Sequence, residues 1–335
     1  MASASRTTNS RLDLGDSRTV RQFGRALGLA LVAAVIGCGI YLVEKQAASP
    51  TSRFAENPLD VMVRCLGLAH FLVGWLFLFT SPRLRRPQAL RRLLLWTLAG
   101  AAVCVLFACL GSVRNPILYL LFYGAFLFHE VRDEAVLYQH YEGTRSPQLL
   151  GFFSLAIGLL FVTLLSAGYA LFLTCFPRGN RSALGVWLVA GGLAVACGWS
   201  LLRWLRLGRG ELGRFLTEHR PLVVVYAVLF LILVLSGPLG SIGFIVLVHV
   251  ASWLVFVWKR LQARQAATRN PWTWLRSTPT GFLVLHLGVA LILLVLIAAR
   301  VYAWGRVGFV SEILSGRNFC YWAIMHMSMS LWSSR

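Results

Sequence analysis

The sequence predicts an all-α fold: a polytopic integral membrane helical bundle of about ten transmembrane helices, with the N- and C-termini in the cytoplasm. Of the 335 residues, 58% are hydrophobic and only 13% are charged, and the mean hydropathy is +0.70. Soluble domains carry about 25% charged residues. Long apolar runs, separated by short loops rich in arginine, complete the pattern of a multi-pass membrane protein.

Ten apolar segments approach the roughly 20 residues that a helix needs to cross a bilayer. Residues 1–24 are a polar tail that we expect to be mobile, and residues 25–335 are a single transmembrane domain. The segment 25–43 is interpreted as a retained span, since no small-x-small cleavage site clearly follows it. The other predicted spans are 61–80, 93–111, 116–135, 149–175, 184–202, 221–239, 241–258, 280–299 and 318–332.

The basic residues of the loops predict the orientation of these spans. Segments 81–92, 203–220 and 259–279 each contain five arginines or lysines, and the segments between them carry fewer. The positive-inside rule places these loops and the N-terminus in the cytoplasm. The formal charge of +20 then reflects topology, so the expected partner is the lipid bilayer and not nucleic acid. Arginine outnumbers lysine thirty to two, which favours a GC-rich genome and a bacterial inner membrane.

Several functions are excluded by the absence of the residues they need. Lys45 and Lys259 are the only lysines and neither lies mid-span, so a buried retinal Schiff base is excluded. The seven cysteines show no CxxC pairing, so no disulfide framework is expected. The sequence contains no GxxxxGK[ST] or GxGxxG nucleotide loop. It also shows no internal repeat of the kind found in inverted-repeat transporters.

Ionisable residues concentrate at the end of the segment 116–135 and just beyond it. On a helix at 100° per residue, His129, Asp133 and His140 fall within about 40° of one another, with Glu130 and Glu134 on a neighbouring stripe. Imidazole and carboxylate ligands together suit zinc or non-haem iron. The pattern therefore predicts a metal site formed by these three residues, with either glutamate as the catalytic acid or base.

Histidines of other predicted spans complete this site. His70, His249 and His326 reach mid-bilayer on the predicted topology, where ionisable residues cost roughly 2.5–3.5 kcal/mol each and usually face the bundle interior. His70 and His249 are the predicted additional metal ligands. His286 and His326 are interpreted as structural histidines that each donate a hydrogen bond to a neighbouring helix.

Two short segments resemble known motifs. The string HEVRD, from His129 to Asp133, resembles the HExxH zinc motif, with Asp133 in the place of the second histidine. An aspartate still binds zinc, but the departure disfavours an intramembrane protease. The segment 318–332 is loosely similar to the tryptophan-rich histidine segment of membrane-bound O-acyltransferases over about 15 residues. The second, downstream histidine of that family has no counterpart here.

The sequence favours a membrane-embedded metal-dependent enzyme, an oxidoreductase or a hydrolase, that acts on a lipid-soluble substrate. Iron predicts hydroxylation, desaturation or oxidative cleavage, and zinc predicts hydrolysis of a lipid amide or ester. The alternative is a non-enzymatic protein, such as a proton-coupled transporter or an assembly factor, in which the same residues relay protons. A third hypothesis is a b-type haem held between His249 and His286.

Overall fold

The computed structural model describes residues 58–110, 116–142, 146–175, 181–236, 243–262, 270–302, 314 and 318–333. The described residues form eleven α-helices and one short 3₁₀ helix, and none of them lies in a strand. The predicted polar tail and the predicted first span, 25–43, lie outside the described residues. The all-helical fold class is confirmed for the part of the chain that the structure covers.

Proline marks the start of six of these helices. At the first helical position proline lacks only an N–H that would have no partner within the helix. The helices are α1 Pro58–Phe79, α2 Pro87–Cys109, α3 Pro116–Glu142, α4 Pro147–Cys175, α5 Arg181–Leu207, α6 Leu212–Glu218, α7 Arg220–Ser236, α8 Gly243–Gln262, α9 Pro271–Ser277, α10 Pro279–Tyr302 and α11 Phe319–Ser333. The 3₁₀ helix is Pro82–Arg85.

Nine of the predicted spans coincide with helices in the described residues. The largest difference is at the end of α3, which continues to Glu142 although the predicted span ends at residue 135. Leu137 and Tyr138 are buried there, so packing extends the helix beyond its apolar stretch. The segment 203–220, predicted as a cytoplasmic loop, instead contains the end of α5 and the short helix α6.

Four helices in the described part of the chain are long and apolar enough to cross a membrane. They are α2, α4, Ala183–Leu207 of α5 and Pro279–Ile297 of α10. A fifth is obtained if α6 and Arg220–Val234 of α7, bent by 81°, are one broken span. The described part of the chain is therefore all-helical and contains four to five candidate membrane spans. The prediction of ten spans and the placement of the termini are not confirmed.

The helices divide into an inner group and a periphery. Helix α1 packs against α8, α10 and α11, while α3 packs against α4, α8 and α11. The peripheral helices α2 and α5 expose apolar side chains that would be unfavourable in water and suit a lipid environment. Examples are Leu94, Leu98 and Val105 on α2 and Leu184, Leu188 and Val195 on α5.

A glycine allows three of the inner helices to approach closely. A Cβ atom on Gly67 would lie 3.2 Å from Val246 and 3.3 Å from Phe319, so α1, α8 and α11 meet at this level. Gly67 and Val246 each precede a histidine of their own helix by three residues, close to one helical turn. The close approach therefore brings His70 and His249 to the same place in the bundle.

Candidate metal centre

Four histidines from four helices meet in the interior of the bundle. His70 lies on α1, His129 on α3, His249 on α8 and His326 on α11. Three of them are buried and His326 is half-buried. Their ring centroids are separated by 5.1 Å (His70 to His249), 4.9 Å (His70 to His326), 5.9 Å (His129 to His249), 5.8 Å (His129 to His326) and 6.5 Å (His249 to His326).

Two overlapping sets of side chains have the spacing of metal ligands. One set is His70, His249 and His326, and the other is His129, Asp133 and His249. Within each set the potential ligand atoms all lie within 4.8 Å of one another. Because the two sets share His249, they lie side by side and together present four imidazoles and one carboxylate.

The five separations given for the four rings fit coordination of a single ion. For a metal–nitrogen bond of about 2.1 Å, two bound imidazoles have centroids about 4.5 Å apart when they are at right angles and about 6.4 Å apart when they are opposite. The distances given above run from 4.9 to 6.5 Å. Ligand atoms that are opposite one another on such an ion are about 4.2 Å apart. Within each of the two sets the potential ligand atoms lie no more than 4.8 Å apart, close to that span.

Among the four converging histidines, His70 shows the strongest sign of a missing partner. Its ring is 3% exposed, and neither ring nitrogen has a hydrogen-bond partner among the described residues. A buried polar group left without a partner costs about 1–3 kcal/mol. A metal ion bound to one of these nitrogens would remove that cost, so the residues present fit a bound metal.

Helix α3 supplies a carboxylate to two of the four histidines. Glu130 Oε2 lies 3.0 Å from Nδ1 of His249, across the α3–α8 interface, and both side chains are buried. Asp133 Oδ2 lies 3.4 Å from Nε2 of His129, one turn away on the same helix. Carboxylates in such contacts fix the orientation of metal-binding imidazoles. Glu134 is also buried.

The surroundings of the histidines are aromatic and apolar. The Phe71 ring stacks on His326 at 4.4 Å, and the Trp253 ring meets His70 edge-on at 4.3 Å. The ring of His286 packs against that of Trp253, with centroids 5.7 Å apart. His286 belongs to neither ligand set. Apolar walls of this kind exclude water and strengthen the electrostatic interactions inside the site.

The structure brings together most of the residues that the sequence singled out. Of the predicted ligands, His70, His129, Asp133 and His249 converge. The side chain of His140 lies outside the described residues, although its backbone continues α3. The predicted acid–base residues Glu130 and Glu134 are both buried on α3, and Glu130 contacts His249.

His326 is the member of this group that sequence analysis assigned to structure. The ring lies 4.9 Å from His70 and 5.8 Å from His129. One signal in the sequence pointed to it, because its predicted depth in the bilayer is similar to that of His70 and His249. Depth in the bilayer does not decide in which direction a side chain points. Only the packing of the helices shows that the His326 ring faces the other three histidines.

His219 lies away from the centre and is satisfied by other groups. It is buried at the junction of α6 and α7, where its Nδ1 is 2.8 Å from the hydroxyl of Tyr138. The Phe215 ring packs against it at 4.4 Å. His219 is thus a buried histidine with a structural partner outside the centre.

Comparison with known proteins identifies no family: no protein-family model matches the sequence, and no curated protein or solved structure gives a significant match. The apolar helices indicate a membrane protein, and the histidine and carboxylate groups have the spacing to hold a metal ion.

Proposed function

We propose that this chain is a multi-pass membrane enzyme that holds one non-haem iron ion through His70, His129, His249 and His326 and oxidises a lipid-soluble substrate. The observation that carries the proposal is the convergence of four imidazoles from four helices, at separations that suit one ion. A structural histidine needs one hydrogen-bond partner. Four that meet at one point, each costly to bury, indicate a common ligand.

The number of nitrogen ligands favours iron over zinc. Zinc is almost always four-coordinate, and its catalytic sites use three protein ligands and leave the fourth position to water. Four imidazoles would fill a tetrahedral zinc ion and leave no place for chemistry. Non-haem iron has open positions beyond its protein ligands, which it uses for oxygen chemistry. Bound iron would supply this oxidative chemistry, and the protein supplies the position and the dry surroundings.

The location of the histidines favours a lipid-soluble substrate. His70 is 12 residues from the start of α1, about 18 Å along a helix. In the proposed topology α1 crosses the bilayer, whose hydrocarbon core is about 30 Å thick, and His70 then lies well inside that core. Aromatic side chains surround the site. A substrate that partitions into the membrane meets such a site without crossing an aqueous barrier.

Two of the carboxylates of α3 have different roles in this proposal. Asp133 orients His129, or binds the ion directly, through the contact at 3.4 Å. Glu134 is buried one turn beyond Glu130 and is the carboxylate we assign to proton transfer. A positioned acid or base contributes about 10²- to 10⁴-fold in rate.

The experiment that tests the proposal is metal analysis of protein purified without oxygen, for the parent chain and for two variants. We expect about one iron per chain in the parent, as the ligand geometry predicts, and loss of that iron in His70→Ala. His219→Ala removes a buried histidine that lies away from the centre, and it should keep the iron. Equal iron content in all three proteins would contradict the proposal.

Other metal contents discriminate the competing functions. Zinc at one per chain would overturn the iron assignment and favour hydrolysis. A haem absorbance band would favour the haem hypothesis. The absence of any metal would favour a proton-coupled transporter, for which the observation is the pair of buried acids Glu130 and Glu134 on α3.

A further inference from the structure

We infer that Glu130 is a positioning residue for His249 and not the proton-transfer base of the site. It holds the imidazole with Nδ1 toward its own carboxylate, which leaves Nε2 for an ion. This inference rests on the proposed metal function and assigns a role within the same centre.

The contact between the two residues is short, buried and formed between helices. Glu130 Oε2 and His249 Nδ1 are 3.0 Å apart, and the two residues are 2% and 5% exposed. The distance is that of a hydrogen bond, but the N–H of Nδ1 is not yet aligned with the oxygen. Catalytic and ligand-orienting contacts commonly tighten when the site is filled. A small rotation of the ring would complete this one.

The chemistry of the two groups fixes which nitrogen remains for an ion. An ionised carboxylate only accepts hydrogen bonds, and a neutral imidazole carries its proton on one nitrogen and a lone pair on the other. With Glu130 beside Nδ1, the proton belongs on Nδ1 and the lone pair on Nε2. This is the arrangement in which a carboxylate orients a metal-bound histidine and raises its basicity.

The second carboxylate–histidine pair of α3 provides an internal contrast. Asp133 and His129 are separated by 3.4 Å, and Asp133 is 30% exposed. Water competes with a partly exposed carboxylate, and an i, i+4 pair on one helix constrains no second helix. The buried Glu130–His249 pair fixes the position of α8 relative to α3. We therefore expect its loss to affect metal binding more than the loss of Asp133's contact.

The role of Glu130 also bears on the identity of the base. The Glu130 oxygen that faces His249 is engaged in orienting a ligand. Removing a proton from a substrate would require the same carboxylate to leave that contact. Glu134 is equally buried, at 3% exposed, and lies four residues further along α3. It is the matched residue for a comparison, because it shares the helix, the charge and the burial of Glu130.

The test compares the affinity of the metal-free parent, Glu130→Gln and Glu134→Gln for Fe²⁺ and for Co²⁺, measured by competition with a chelator. Loss of an orienting carboxylate typically weakens metal affinity 10- to 100-fold. We expect that loss in Glu130→Gln and less than about threefold change in Glu134→Gln. The visible spectrum of bound Co²⁺ should also change in Glu130→Gln only, since it reports the ligand geometry.

Three outcomes bear on the inference separately from the proposed function. If the parent binds iron and Glu130→Gln binds it equally well, the positioning role is wrong and the metal site stands. If the parent binds neither ion, both fail. Should Glu130→Gln not fold, Glu130→Asp replaces it, which keeps the charge but shortens the side chain. A parent-like affinity and Co²⁺ spectrum in that variant would overturn the inference, and a weakened affinity would support it.

Discussion

Each imidazole at the centre has one nitrogen available for an ion and a second nitrogen that needs another partner. His249 has Glu130 and His129 has Asp133. His70 has no hydrogen-bond partner for either nitrogen among the described residues, and its neighbours include the rings of Phe71 and Trp253. Of the four, His70 is therefore the residue whose burial depends most on a bound ion.

This difference predicts opposite effects of His70→Phe on stability and on metal binding. Phenylalanine suits the aromatic surroundings and removes the unpartnered nitrogens, whose burial costs about 1–3 kcal/mol. We expect the metal-free variant to unfold at the same temperature as the metal-free parent or at a higher one, and to bind no metal. Thermal unfolding in detergent and metal analysis measure the two effects. A large drop in unfolding temperature would mean that His70 has a structural partner.

The two histidines that the sequence assigned to structure provide a second prediction. His326 belongs to a ligand set, whereas His286 is buried beside Trp253 and belongs to none. We expect His326→Ala to lose most of the bound metal and His286→Ala to keep it, as measured by metal content per chain. Full retention of metal by His326→Ala would remove that residue from the centre and return it to a structural role.

At the scale of the helices, α3 and α11 position the centre through contacts with small residues. A Cβ atom on Gly158 of α4 would lie 2.9 Å from Phe128, the residue that precedes His129. On the other side, Gly100 of α2 faces α11, where a Cβ atom would lie 2.8 Å from Ser328 Oγ and 2.9 Å from Ser328 Cβ. A larger residue at Gly158 must displace the Phe128 ring, and a larger residue at Gly100 must displace Ser328 on α11, which carries His326.

Gly100→Ala and Gly191→Ala should therefore change the unfolding temperature in opposite directions. In Gly100→Ala the new methyl meets Ser328 Cβ, which side-chain rotation cannot move, so α11 must shift. Overpacking of this kind costs about 1–3 kcal/mol. We expect a lower unfolding temperature and weaker metal binding, since Ser328 is two residues from His326.

The control is Gly191→Ala on α5, where no atom lies within 4 Å of the added Cβ. Alanine is favoured over glycine within a helix by about 0.8–1.0 kcal/mol. This variant should therefore be as stable as the parent or more stable, with unchanged metal content. If Gly100→Ala behaves like Gly191→Ala, the α2–α11 contact does not hold the centre in place.

At the scale of the whole molecule, the distribution of charge sets the expected orientation in the membrane. Four exposed arginines lie between α1 and α2 or near the start of α2: Arg85, Arg86, Arg91 and Arg92. A second group of exposed arginines lies at the end of α5 and around α6. Exposed arginines at one side of a membrane protein face the cytoplasm.

Reporter fusions test this orientation directly. Fusions after residues 88, 145, 210 and 265 are expected to read cytoplasmic, and fusions near residues 50, 114, 180 and 239 external. The fusion at residue 210 is decisive, because the segment 203–220 contains five arginines. The same segment includes the bend between α6 and α7. An external signal there would overturn the predicted topology.

The helices and the membrane setting were largely predictable because both depend on local composition. A run of about 20 apolar residues forms a helix wherever the surroundings are lipid, since every backbone group must be paired within the segment. The nine predicted spans that fall in described residues accordingly coincide with helices. The same local rule did not reveal the short helix α6, or the extension of α3 through Tyr138, because contacts with distant residues decide both.

The candidate site could be predicted only in part, for a related reason. Spacing along α3 placed His129 and Asp133 on one face, because a single helix determines that relation. Which histidines of other helices join them depends on how each helix is rotated about its axis. The close approach at Gly67 and the contact of α11 with Gly100 determine those rotations, and neither appears in a hydropathy pattern.

By itself, the sequence determined that the described part of the chain is helical, that its apolar helices suit a membrane, and that α3 carries carboxylates and a histidine on adjoining faces. Only the tertiary structure decided that His326 belongs with His70, His129 and His249, that His286 and His219 do not, and that Glu130 faces His249. The physical reason is the distance along the chain over which each interaction acts. Backbone pairing and hydrophobicity act within a segment of about 20 residues, whereas a four-helix ligand set depends on side-chain packing between residues that are up to 256 positions apart, from His70 to His326.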